Sequence, residues 1–126
     1  DVAGVWVSFN DLTPKMPQGV VLYGPKLTGD IDVGNRFMVA YLEAVRQYNE
    51  GKTDRNVEVI SKYTEIPAEV LKSICWLSIA SDGNTHLDAW QPYIEWLVSK
   101  GYMDAAVPVD QVWDAQFIDF ANAALK

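Results

Sequence analysis

The chain has 126 residues with 49% hydrophobic and 21% charged side chains, the balance of one folded domain rather than a disordered segment. A formal net charge of −7 with no Lys/Arg cluster disfavours nucleic acid and anionic membrane surfaces as partners. The single cysteine, Cys75, excludes an intrachain disulfide, which fits the cytoplasm and the periplasm equally.

Two β-type runs come first. Gly4–Phe9 (GVWVSF) and Gly19–Gly24 (GVVLYG) are rich in Val and aromatics and end in Gly or Asn, which predicts two strands. NDLTPKMPQ between them reads as a loop with two prolines. Two strands alone make a marginal sheet, and these are apolar on both faces. They therefore predict a sheet completed by residues outside this chain. The division is a strand and crossover region over 1–24 and a helical part over 25–126, folded as a single unit.

Five helical segments follow. The first runs from about Asp32 to Glu50, with Val33, Phe37, Tyr41, Ala44, Val45 and Tyr48 on one face, widened by Met38 and Leu42. Asp32 reads as its cap and Gly51 as its left-handed C′ residue, while Arg46 and Gln47 lie off the apolar face. Thr53 caps a second helix carrying Val57, Ile60 and Tyr63. Pro67 opens a third with Val70, Leu71 and Ile74 buried, and Trp76 and Leu77 as its extension. SDGNT is a turn. Thr85 or Asp88 caps the fourth helix, which carries Leu87, Trp90, Ile94, Leu97 and Val98 and closes at Lys100-Gly101, with Pro92 inside the pattern expected to kink it or to mark a delayed start. Asp110 caps the last, with Trp113, Phe117, Phe120, Ala121 and Ala124 on one side.

No pattern carries chemistry. DGNTHLD places Asp82, Asn84, His86 and Asp88 at alternate positions, but glycine is second and Tyr93 stands where a calcium loop needs an acid, so a turn is the better reading. His86 has no nucleophile beside it in sequence. Cys75, between Ile74 and Trp76, reads as a buried inert thiol. Asp110 and Asp114 read as a cap and an exposed acid rather than a catalytic pair.

The strings VVLYGPKL, RFMVAYLEAVRQYNEG, VEVISKYTEIP, SDGNTHLDAWQPYIEWLVSKGY and VPVDQVWDAQFIDFANAAL, in this order, resemble the C-terminal part of ABC-transporter substrate-binding proteins of the nitrate/sulfonate/taurine type. Matching features are Tyr63-Thr64, the Asp82-Gly83 turn, Gly101-Tyr102, and Val109-Asp110 followed by Asp114. The resemblance covers roughly Gly19 to Lys126. It implies a helix-rich α/β chain, the C-terminal portion of a type II periplasmic-binding fold, whose two lobes close around a small solute and deliver it to a membrane permease. It implies a periplasmic location, no cofactor and no enzymatic turnover. Family members are far longer, so the chain is expected to be a fragment whose missing N-terminal portion acts as a partner, and which alone self-associates or swaps elements. Trp6 and Tyr23, near the expected lobe crossover, are the ligand-site candidates beside their reading as core residues. An enzyme of thiamin-pyrimidine synthesis on the same scaffold needs a cysteine-rich motif absent here. A stand-alone helical interaction module is the other alternative. Nitrate, sulfonates, aromatic acids and pyrimidines all remain open as solutes.

Overall fold

The computed structural model describes residues 6–7, 9–13, 15–16 and 19–126, and among these it contains helices and no strand. The helices are α1 (Phe9–Leu12), α2 (Pro25–Thr28), α3 (Ile31–Asn49), α4 (Asp54–Thr64), α5 (Ala68–Ser73), α6 (Leu87–Ser99) and α7 (Gln116–Ala124), with a 3₁₀ turn over Val109–Gln111. The α/β expectation is thus overturned, and with it the type II periplasmic-binding architecture. Gly4, Val5 and Ser8 of the first expected strand lie outside the described residues. Trp6 and Val7 have no regular structure, and Phe9 opens a helical turn. Val20, Val21 and Leu22 of the second run are 46%, 45% and 84% exposed, with no ladder beside them. The physical reason is that β-propensity measures fit to a neighbouring pleated surface. A valine-rich run without a partner strand gains neither ladder bonds nor cross-strand packing.

The chain divides into two compact units. One comprises Pro25–Asn84 with Gln116–Lys126 and carries most of the buried side chains. Its axis is α3, packed against α7 and α2, while α4 packs on α5. Met38, Leu42 and Val45 of α3 meet the buried Phe117, Ile118 and Ala121 of α7, and Val57 and Leu71 are buried on α4 and α5. Leu42 is wholly buried, a contribution of about 1.5–3 kcal/mol.

Several helix ends follow the sequence and several do not. Asp30, not Asp32, caps α3, accepting from the Val33 N–H at 3.2 Å. Asp32 is the second residue of the first turn and pairs with Arg36 at 3.0 Å, a favourable i,i+4 contact. Thr53 caps α4 through the Asn56 N–H, as expected. Pro67 occupies the N-cap of α5, one residue before the first helical position. Ile74 and Leu77 are 43% and 67% exposed, so the buried side of α5 stops at Leu71.

The other unit comprises Asp1–Gly24 with Thr85–Ala115. Helix α6 packs on the 3₁₀ turn, and Ile94 is its one buried hydrophobic residue among those described. His86, without a side-chain cap bond, takes the N-cap of α6 in place of Thr85 or Asp88. Pro92 is accommodated inside the helix. Gly101, at φ +72°, closes α6 as expected: its N–H donates to the Val98 carbonyl and that of Tyr102 to Leu97. This is a complete Schellman pattern. The last helix is shorter than expected. Asp110 sits in the 3₁₀ turn opened by Pro108, and α7 begins only at Gln116. Trp113 and Phe117, read as one face, belong to different units.

Candidate functional site

The two candidates from the sequence belong to the same unit but form no enclosed site. Trp6 is 97% exposed and so lines no cavity. Tyr23 is half-buried, and desolvation pushes its phenol above the ordinary tyrosine value.

The most organised polar constellation lies elsewhere, at the C-terminal end of α3. A helix leaves its last four carbonyls without intrahelical donors. Here Asn56, 3% exposed at the start of α4, reaches back and donates from Nδ2 to the carbonyls of Gln47 at 2.7 Å and Gly51 at 2.8 Å. Its Oδ1 accepts from Gln47 Nε2 at 3.0 Å. Gly51, at φ +86°, supplies the left-handed turn and donates to the Tyr48 carbonyl at 3.0 Å. In a Schellman ending the Gln47 carbonyl receives the N–H of the second residue past the cap. The Asn56 amide supplies a donor to that same carbonyl.

Arg46 forms the second half of the constellation. Its Nη1 donates to the Leu125 carbonyl at 2.9 Å, Nη2 to Asn122 Oδ1 at 3.1 Å and Nε to the Ser81 carbonyl at 3.3 Å. A cation at the end of α7 also complements the negative pole of that helix. Asn122 in turn donates to the Asp82 carbonyl at 2.7 Å. Asn49 engages Ile79 on both sides: Nδ2 donates to its carbonyl at 2.7 Å, and Oδ1 accepts its N–H at 3.2 Å. Trp76 lies over Tyr48, ring centroids 5.3 Å apart and planes 13° from parallel, and its Nε1 donates to the Leu71 carbonyl at 2.9 Å.

Beside these groups runs an open polar trough lined by Glu43, Arg46, Gln47, Glu50 and Arg55. It contains two acids and two guanidinium groups, one of them committed to backbone carbonyls. No nucleophile or histidine lines it. Among the described residues no cluster of His, Cys, Asp or Glu could hold a metal ion.

The remaining sequence candidates are placed singly. Asp82 closes an Asx turn, accepting from the Asn84 N–H at 3.0 Å and from its side-chain amide at 3.2 Å, so its carboxylate serves the turn. His86 is exposed, as expected. Cys75 is exposed rather than buried, because the chain leaves α5 one residue earlier and Trp76 takes the inward position. Asp88 accepts from Lys15 Nζ at 3.2 Å, and that hydrogen bond, with the attraction of the ammonium group, holds its carboxyl below the usual range.

Sequence reasoning missed Arg46, Asn49, Asn56 and Asn122, since their roles depend on which carbonyls the fold leaves unpaired. It also missed an aromatic series, Tyr93, Trp96 and Tyr102, with successive ring centroids 5.9 Å and 6.0 Å apart. The i,i+3 spacing of Tyr93 and Trp96 was a usable signal. The turn at Gly101 that returns Tyr102 to them was legible only as a helix end. No protein-family model, curated protein or solved structure matches the chain.

Proposed function

We propose that the chain belongs to the solute-binding component of an ABC importer, capturing a small solute without chemical change in the periplasm and delivering it to a membrane permease. What supports this reading is the ordered set of family-like strings, together with one observation about their junctions. Tyr63-Thr64 ends α4, Asp82-Gly83 forms the turn before α6, and Gly101-Tyr102 completes the Schellman ending of α6. Motifs held in common for helix termination belong to scaffold, which suits a protein that binds and releases rather than reacts. The two-lobed α/β closure implied by the resemblance is not carried forward, since the described residues contain no strand.

Native mass spectrometry of the full-length protein with its co-purified solute tests the proposal. The expected result is a small-molecule adduct lost on denaturation, with a matching ligand-dependent rise in Tm. Absence of any adduct, with no thermal shift from nitrate, sulfonates, aromatic acids or pyrimidines, overturns it. A second reading, a helical interaction module, is favoured by the exposure of Tyr93, Trp96 and Tyr102, at 39%, 47% and 71%. Aromatic side chains of this kind anchor protein partners.

A further inference from the structure

The stretch from Ser73 to Ser81, SICWLSIAS, contains no charged residue in a chain of net charge −7. Ile74 has extended backbone at φ −82° and ψ 160°, and residues 75–80 form neither helix nor turn. Every side chain from Ile74 to Ala80 is exposed except that of Trp76, which lies against Tyr48. The Asn49 amide meets both the N–H and the carbonyl of Ile79, as a neighbouring strand would.

In an extended segment the N–H and C=O of one residue point to the same edge, and alternate residues share that edge. Asn49 therefore occupies the edge of residues 75, 77 and 79. The opposite edge carries residues 74, 76, 78 and 80. There the Ile74 N–H is taken by the Val70 carbonyl and the Ala80 carbonyl by the Gly83 N–H. The backbone groups of Trp76 and Ser78 have no partner among the described residues. An unpaired edge with exposed apolar side chains and no charge is a template for another strand.

We infer that this edge pairs antiparallel with the same segment of a second copy of the chain, about a two-fold axis at Leu77. Three features select a second copy. The free groups are self-complementary in that register, with Trp76 opposite Ser78 and Ile74 opposite Ala80 of the other copy. The outer row becomes apolar throughout, Leu77 facing Leu77 and Cys75 facing Ile79. A like-charged copy is repelled by acidic surface elsewhere, and this uncharged run is where close approach costs least. The symmetric contact also closes, so it gives a dimer rather than a filament.

Sedimentation of the chain over the micromolar range tests the pairing, with Ser78→Pro as the variant. Proline removes the Ser78 N–H, which serves no bond within the described residues, so folding is retained while the ladder loses a donor. The expected result is a reversible dimer weakened at least tenfold by Ser78→Pro, about 1.4 kcal/mol. Oxidation of a Cys75→Ser, Leu77→Cys chain is expected to give a disulfide-linked dimer, since the two residues at position 77 face each other across the axis. A wild-type chain that stays monomeric overturns the inference, as does a dimer indifferent to proline. A proline-sensitive dimer that fails to cross-link at position 77 overturns the register.

Discussion

Asn56 and Gln47 are joined reciprocally. The Asn56 amide donates to the Gln47 carbonyl at 2.7 Å, while the Gln47 side chain donates back to Asn56 Oδ1 at 3.0 Å. One buried amide thus ties the start of α4 to the end of α3 with every polar atom satisfied. Replacing Asn56 by Leu, of similar size, leaves two carbonyls and the Gln47 amide without these partners. The expected loss is about 2–4 kcal/mol, at the upper end for single hydrogen-bonding residues because several bonds go at once. Urea unfolding followed by circular dichroism measures it, and a change under 0.5 kcal/mol, about the scatter of surface substitutions, would mean that the pair is incidental.

Gly51, Gly83 and Gly101 all have positive φ, at +86°, +72° and +72°. At Gly51 and Gly101 an added Cβ meets open space, so Ala there is opposed by backbone conformation alone, at about 1–2 kcal/mol. At Gly83 the Cβ would also stand 2.9 Å from Leu42 Cδ2, a wholly buried side chain. Gly83→Ala is therefore expected to lower Tm more than either of the other two changes. Equal shifts across the three variants would show that the Leu42 contact relaxes freely.

Helix ends set by local grammar were readable: Thr53 as a cap, Gly51 and Gly101 as left-handed endings. The buried line of α3 was readable only in part: Val45 lies on the face expected from the helical period, but Met38 and Leu42, expected only to widen that face, are buried, while Phe37 and Ala44 of it are exposed. The lack of a strand over Gly19–Gly24 was not readable, since pairing is a non-local event that composition cannot supply. That Trp113 and Phe117 belong to different units was hidden for the same reason: a periodic pattern continues across a point where the chain leaves one unit for another. The capping constellation was hidden most deeply. Arg46 and Asn56 are ordinary surface types, and the half-burial of one and the burial of the other depend on carbonyls exposed by helices that the fold brings beside them.

Gly34 sits inside α3, where a glycine ordinarily weakens a helix by about 1 kcal/mol relative to alanine. Its retention is explained by Phe117 and Leu27, since a Cβ would stand 2.5 Å from Phe117 Cε1 and 2.7 Å from the Leu27 carbonyl. Gly34→Ala is expected to destabilise by about 1–3 kcal/mol, the range for overpacked cores, in spite of its better helix propensity. Trimming the ring with Phe117→Leu should not rescue the variant, because the Leu27 backbone contact remains. Full rescue would assign the whole conflict to the ring.

Lys15 and Asp88 form an exposed ion pair at 3.2 Å, and the lysine hydrogen bond is the main cause of the lowered Asp88 carboxyl. For an acid depressed in the folded state, the linked stability is present above the unfolded value of about 3.9 and is lost as pH falls through the lower folded value. Lys15→Met should return the Asp88 titration toward that ordinary value, as read by carboxyl NMR. Stability at pH 7 should fall only slightly, as exposed pairs contribute little. An Asp88 midpoint that does not move would place the cause elsewhere.

Arg46 gives the sharpest test of the polar framework. Its guanidinium spans three acceptors from two chain segments, the Leu125 carbonyl, Asn122 Oδ1 and the Ser81 carbonyl. Lysine keeps the charge but replaces a planar fork with a single ammonium group, so it cannot reproduce that geometry. Arg46→Lys is expected to cost about 1–3 kcal/mol, nearly as much as Arg46→Met, because the loss is of shaped hydrogen bonding rather than of charge. The loss should also be local. Amide exchange at the end of α7 and in the turn over residues 81–84 should quicken in both variants, while the start of α3 stays protected. If lysine preserved both stability and exchange, charge at the end of α7 alone would account for the contact, and the fork geometry would be irrelevant.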